Sequence, residues 1–371
     1  MSKIPEILTS ISGEKIDTVA KWENFRREEI LNLFAEYEYG VRDIERPDDL
    51  VFNVKRTYSV YGMRVKDVEC GFDDYRFPFK LYLPAKQDKP LPAFIYVQHE
   101  NLENYLHFDE DGNMRSAEKV SELPLKALTD RGYACAVMPT FSLYVDWYAG
   151  ANYNQGVLGA ATKRTGRPRT KNSWASISAW AWGVSRIVDY FETDADIDET
   201  KVASIGHSRS GKAALLAAAT DTRILLSVPN NSGTCGVAVL RGKRGEKLVN
   251  INRKSDWLCP KFKEFNDCEE LLPFDQHMLV AAIAPRYIYI ADSIEDEWAD
   301  PDAEFLSGKL ASEVWELYGL KGLVAPEKPV LSEVYHEGRI AFHVKPGDHS
   351  QTMFDWEKAM DYFDKIIAGE V

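Results

Sequence analysis

The segment Val202–Ala219, VASIGHSRSGKAALLAAA, is where residue types and spacing most clearly spell out a nucleophile. A short apolar run passes directly into a helical pattern, and Ser208 stands at the corner. Gly206 lies two residues before it, Ser210 two after, and Gly211 next. A serine on so sharp a strand-to-helix turn has a strained backbone, and only small neighbours leave room for it. The turn lifts the hydroxyl off the carboxyl edge of a sheet. It also sets the Arg209 N–H at a helix N-terminus, where a developing oxyanion would be stabilised. A plain Gly-Ser turn has the same letters, so the strand–turn–helix context carries the catalytic reading.

A serine hydroxyl needs a base, and nucleophile elbows of this kind run in the order serine, acid, histidine. Four histidines follow Ser208. His343 sits within a strand-like IAFHV, His336 in a polar loop before it, and His277 near a helix start in LPFDQHML. All three read as structural. His349, in KPGDHS just after the last strand, falls where the chain returns over the nucleophile. The acid is expected after the penultimate strand, in YIYIADSIEDEWADPDAEF. That loop holds Asp292, Glu295, Asp296, Glu297, Asp300, Asp302 and Glu304, and a triad uses only one of them. Asp300, before Pro301, reads as a helix N-cap. Asp296 in mid-loop is the first choice, and the loop by itself leaves its neighbours open.

The elements that would position these groups follow from the periodicity. Residues 19–36 carry apolar positions at helical spacing. Val51–Val60, Met63–Phe72 and Arg76–Pro84 read as strands bounded by turn residues. After them come short, continuous apolar runs: Ala93–Gln98, Ala134–Met138, Val202–Gly206, Ile224–Val228, Tyr287–Ala291 and Arg339–Val344. Such runs suit strands buried on both faces of a parallel sheet. Helical stretches near Glu118–Asp130, Ala175–Phe191, Lys212–Ala219, Phe274–Ala284 and from Met353 alternate with them. The expected fold is an α/β-hydrolase-type three-layer sandwich, its central sheet mostly parallel with antiparallel N-terminal strands. One domain is expected over 1–371, with 1–90 as decoration and 91–371 as catalytic core.

Bulk composition excludes several classes. A hydrophobic share of 45% against 28% charged is a globular balance. A net charge of −13 argues against a nucleic-acid partner. The densest basic cluster (Arg241, Lys243, Arg244, Lys247) also contains Glu246 and reads as a solvated loop. No run approaches the roughly eighteen apolar residues of a membrane span. The N-terminal MSKIPEILTSISGEKIDTVAKWENF has no apolar core behind a basic start, so a cytoplasmic protein is expected. Five cysteines without CxxC spacing fit reduced, mostly buried thiols. There is no HExxH and no P-loop; neither metal nor cofactor is expected, and no oligomeric state can be read.

Longer pieces of the chain add a resemblance. AWAWGVSRIVDYFETD, GHSRSGKAAL, NNSG-x-x-G, GEKLVNIN, LPFDQHMLVAAIAPR, EDEWADPDAEFL and KPGDH, spread over Ala179–His349, resemble the bacterial branch of the glucuronoyl esterases, the fifteenth carbohydrate esterase family. The resemblance implies that Ser208 and His349 are catalytic and that the Arg209 guanidinium joins the oxyanion site. It implies that Lys212, Glu246 and Trp298 contact the sugar. Many members carry a glutamate in a Glu-Ser-Gly context where this chain has Asn231. Asparagine can orient an imidazole but brings no charge to an imidazolium. The family's alternative acid matches Asp296.

The implied reaction is hydrolysis of a glucuronate or 4-O-methyl-glucuronate ester, of the kind joining xylan to lignin alcohols, through an acyl-enzyme. The loop after Phe94–Gln98, near Glu100 and Asn101, would add N–H donors to the oxyanion. Two rival readings use the same residues. An acetylesterase would keep the triad without needing the three sugar contacts. A non-catalytic carbohydrate-binding descendant is prompted by Asn231.

Overall fold

The computed structural model describes residues 3–99, 106–116, 122–145, 152–253 and 256–371. Three ten-residue strands, β1 Val51–Val60, β2 Met63–Phe72 and β3 Tyr75–Pro84, form an antiparallel meander. The first hairpin turns at Tyr61-Gly62, both at positive φ (45° and 75°), the conformation that lets a two-residue turn follow the strand twist. β4 Leu91–Gln98 follows, then a small antiparallel sheet of β5 Leu106–Phe108, β6 Met114–Ser116 and β7 Glu122–Leu123. The remaining strands are β8 Ala134–Pro139, β9 Ile197–His207, β10 Leu226–Asn230, β11 Tyr287–Ser293, β12 Val334–Tyr335 and β13 Ile340–Lys345.

Ten strands make one sheet in the order β1-β2-β3-β8-β4-β9-β10-β11-β13-β12. From β8 to β13 every pairing is parallel, while β1 to β3 and the edge strand β12 pair antiparallel. Alternate residues of β4 enter opposite cores. Ala93, Ile95 and Val97 pack on one face, under the helices Ser176–Phe191 and Arg209–Thr220; Phe94 and Tyr96 pack on the other, against Trp356 and Phe363 of the helix Met353–Ala368. Burial of both faces explains why these strands are apolar without alternation. This is the α/β-hydrolase arrangement.

Several boundaries differ from the sequence reading. The N-terminal helical stretch runs over 19–39, with π-helical turns at Trp22–Arg26 and Ala35–Tyr39. Of the stretch expected over Glu118–Asp130, residues 118–121 lie outside the described ones, and helix begins only at Leu125, after Pro124 at the N-cap. The Phe274–Ala284 stretch contains a five-residue helix, His277–Ala281. A helix at Gly156–Thr165 was not expected, since its small and polar residues give little periodic signal. Among the described residues, no helix is long and apolar enough to cross a membrane.

Candidate active site

β9 runs into the helix Arg209–Thr220 through Ser208, whose φ of 57° and ψ of −125° lie outside the ordinary regions for a non-glycine residue. Its N–H donates to the Asn230 carbonyl at 2.8 Å, which ties the corner to the end of β10. A Cβ on Gly206 would stand 2.5 Å from the carbonyl carbon and oxygen of Ser210, so the turn closes only around glycine. Local sequence thus dictates the strained corner.

β11 and β13 lie side by side, and the loops leaving their carboxyl ends carry Asp296 and His349. His349 Nδ1 is 2.5 Å from Asp296 Oδ2. The Asp296 side chain is only 2% exposed, against 40% for His349. Burial raises the Asp296 pKa, but the His349 hydrogen bond and charge outweigh it and hold the carboxyl below its ordinary value. Ala299 N–H donates to Oδ1 at 3.1 Å, and Asn231 Nδ2 to Oδ2 at 2.8 Å. Asn231 therefore braces Asp296, a different part from the imidazole-orienting one open to it on sequence grounds.

The other carboxylates of the loop are engaged elsewhere or exposed. Asp292 is buried against Glu304, and burial raises both pKa values, Glu304 to about 7. Glu304 also accepts from Gly233 N–H and from Ser232 Oγ at 3.1 Å. Asp300 caps the helix Pro301–Leu317 and accepts from Arg244 N–H at 2.5 Å. Asp302 pairs with Arg244, while Glu295 and Glu297 face outward. The other three histidines after Ser208 are engaged away from the elbow. His277 Nε2 meets the Pro5 carbonyl at 3.0 Å, His343 bridges Tyr289 OH and Asp355 at 2.6 and 3.0 Å, and His336 packs on Tyr289 and Tyr362.

A cavity of about 300 Å³ opens at the elbow, lined among others by Ser208, Arg209, Lys212, Glu246, Trp298 and His349. All six residues singled out in the sequence for nucleophile, base, oxyanion and sugar therefore share one wall system, with Asp296 behind His349. Trp298 is 53% exposed and so is no core aromatic. Lys212 is buried, its ammonium donating to the Ser232 carbonyl and, at 2.7 Å, to that of Thr234. An ammonium has three donors, and among the described residues these two carbonyls take two of them. Glu100 and Asn101 lie outside the described residues.

The basic cluster corrects the sequence reading. Arg241 and Lys243 are buried, not solvated. The Arg241 guanidinium meets the carbonyls of Glu270, Leu272 and Phe274 and the Asp275 carboxylate. Burial pushes Lys243 down to about 8. The Arg241 acceptors and the Trp298 carbonyl that Lys243 meets lie far along the chain, which composition cannot reveal.

Sequence reasoning also missed His207 and Trp257. The His207 ring lies 4.5 Å from that of His349, and its Nδ1 meets Asn230 Oδ1 at 2.7 Å. Asn230 Nδ2 donates to Ala291 O and Asp355, so Oδ1 is the acceptor and His207 carries its proton on Nδ1. Burial, then the nearby His349, lowers its pKa to about 3 and keeps it neutral. A polar residue ending a buried strand beside the nucleophile was the available signal. Trp257 lies under the Arg209 guanidinium at 4.5 Å, and no periodic pattern marks it.

A carbohydrate esterase, MZ0003, from an unknown prokaryotic organism is 33% identical over 99% of this chain and 90% of its own length. The solved glucuronoyl esterase from Solibacter usitatus superposes with a TM-score of 0.87 at 31% identity, covering 98% of each chain. The 4-O-methyl-glucuronoyl methylesterase of Hypocrea jecorina is 26% identical over 86% of this chain and 63% of its own. The family model for fungal glucuronyl esterases matches residues 169–319. Sheet order and these likenesses define a carboxylic ester hydrolase of the α/β-hydrolase fold. Within that class, the chain belongs to the glucuronoyl esterase family, carbohydrate esterase family 15.

Proposed function

We propose that the enzyme hydrolyses alkyl or aryl esters of glucuronic and 4-O-methyl-glucuronic acid, with Ser208, His349 and Asp296 as its triad. The observation that carries this reading is the 2.5 Å His349–Asp296 pair, set in loops that also wall the cavity holding Ser208 and Trp298. With Nδ1 committed to Asp296, the imidazole offers Nε2 to the Ser208 hydroxyl. Ser208 Oγ attacks the C6 carbonyl carbon as Nε2 takes its proton. The oxyanion is met by the Arg209 N–H and guanidinium, whose stacking on Trp257 fixes its height. His349 returns the proton to the leaving alcohol. Water, deprotonated by the same Nε2, then attacks the acyl-enzyme and releases the uronic acid and Ser208.

Sugar recognition fits the walls opposite the elbow. Trp298 offers a flat apolar face to the pyranose ring, Glu246 an acceptor, and the Lys212 ammonium a partner for ring hydroxyls. An acetyl ester needs none of these. Comparing kcat/KM for benzyl glucuronate with that for 4-nitrophenyl acetate tests the substrate class. Clear preference for the uronate, after allowing for the more activated acetate, is expected; turnover of the acetate alone would remove the uronate from the reading.

A further inference from the structure

Two loops wall the sugar side of the cavity: residues 243–247, which carry Glu246, and residues 297–300, which carry Trp298. They come from distant parts of the chain, and Lys243 stands between them, only 4% exposed. Its ammonium donates to the carbonyls of Arg244 at 2.7 Å, Glu246 at 3.0 Å and Trp298 at 3.3 Å. All three of its protons are thereby committed to backbone, and two of the three acceptors belong to the proposed sugar contacts. Around it the loops are stitched further. Glu246 N–H donates to the Trp298 carbonyl at 3.1 Å, Arg244 N–H to Asp300 Oδ2 at 2.5 Å, and Lys247 Nζ to the Lys243 carbonyl. Gly245, at φ +65°, is what lets the loops approach: a Cβ there would stand 2.1 Å from the Glu297 carbonyl oxygen and 2.6 Å from that of Trp298.

We propose that Lys243 is a positioning residue for substrate selectivity, its ammonium clasping the Glu246 and Trp298 loops at the spacing that grips a uronate. This rests on the sugar contacts assigned under the proposed function. The side chain reaches no part of the cavity that Ser208 and His349 share, so its effect falls on the sugar and not on the bond being cleaved. Removing it does not strip the loops of partners, because Thr234 Oγ1 also donates to the Glu246 carbonyl at 2.7 Å and Glu246 N–H to that of Trp298. What is lost is the charged link that fixes their separation.

The test is a ratio, which does not depend on how much of a variant is folded. For wild type, Lys243→Met, Gly245→Ala and Trp298→Ala, kcat/KM is measured for benzyl glucuronate and for 4-nitrophenyl acetate. Lys243→Met is expected to lower the uronate-to-acetate ratio about tenfold, chiefly through the uronate KM. Gly245→Ala, which pries the same loops apart from the other side, is expected to lower it in the same direction. A purely structural lysine would lower both substrates together and leave the ratio at the wild-type value, and that result overturns the proposal. If Trp298→Ala lowers the ratio and Lys243→Met does not, the clasp falls while the sugar contacts stand. If Trp298→Ala leaves the ratio unchanged, the sugar-contact reading falls and the clasp with it.

Discussion

Asn231 shows how one atom's placement changes a residue's part. Its Nδ2 shares the same carboxylate oxygen as His349, so the acid is held from two sides while Ala299 N–H takes the other oxygen. Asn231→Ala removes one donor from an ionised acceptor, a contact worth about 1.5–3 kcal/mol where it is buried. Turnover of benzyl glucuronate should therefore fall at least tenfold, with KM little altered. Asn231→Asp should be worse, since it sets a second carboxylate against Asp296. Steady-state kinetics of the two variants check this, and an aspartate variant as fast as wild type would contradict it. Ser208 and His349 stand out in the sequence because each sits at a loop position that the topology prescribes, whereas the loop alone leaves Asp296 among its neighbours and the family resemblance singles it out. The brace was not, because an asparagine's partner depends on where two loops meet.

At the scale of elements, the elbow is the tightest constraint. Gly206→Ala forces a methyl carbon to 2.5 Å from the Ser210 backbone, which cannot retreat without unwinding the helix Arg209–Thr220. Overpacking of this kind costs about 1–3 kcal/mol. A urea midpoint lowered to match and loss of ester turnover are the expected outcomes; a variant with wild-type stability and rate would show that the turn is looser than the geometry says. Strands were legible in the sequence because burial on both faces makes them uniformly apolar. Helix limits were less so, because Pro124 moves a start that periodicity places earlier. The 241–247 loop was misread in part: Arg244 and Lys247 are exposed as their charge suggests, whereas Arg241 and Lys243 are buried and donate in part to carbonyls that only the folded chain brings near.

Over the whole molecule, buried ionisable groups set the response to pH. Glu38 is fully buried, and burial pushes its carboxyl up to about 8; Glu304 rises to about 7 beside Asp292. These groups hold protons in the folded chain that the unfolded chain releases above the ordinary carboxylate range. Their stabilisation is complete at low pH and is lost as pH rises through the folded values. His207, His277 and His336 are the reverse: burial keeps them neutral, to about 3, 4 and 4, while the unfolded chain protonates them below about 6.5. Their contribution is lost as pH falls from there. Between about pH 6.5 and 7.5 the carboxyl effect dominates, so stability should decline by up to roughly 1.4 kcal/mol per pH unit for each such group, and the buried Lys243, lowered to about 8, opposes it as pH nears that value. Urea unfolding across that range should show the decline, and Glu38→Gln should flatten it; a curve that rises between about pH 6.5 and 7.5 would contradict the burial of these acids.

The measurement that bears most directly on the site is benzyl glucuronate hydrolysis by wild type, Ser208→Ala and Asp296→Asn. A triad built on His349 predicts ready cleavage by wild type. It predicts near-complete loss on removal of the nucleophile and a fall of about a thousandfold or more when the acid loses its charge. Asp296→Asn at the wild-type rate would place the acid elsewhere, and Ser208→Ala at that rate would end the serine mechanism.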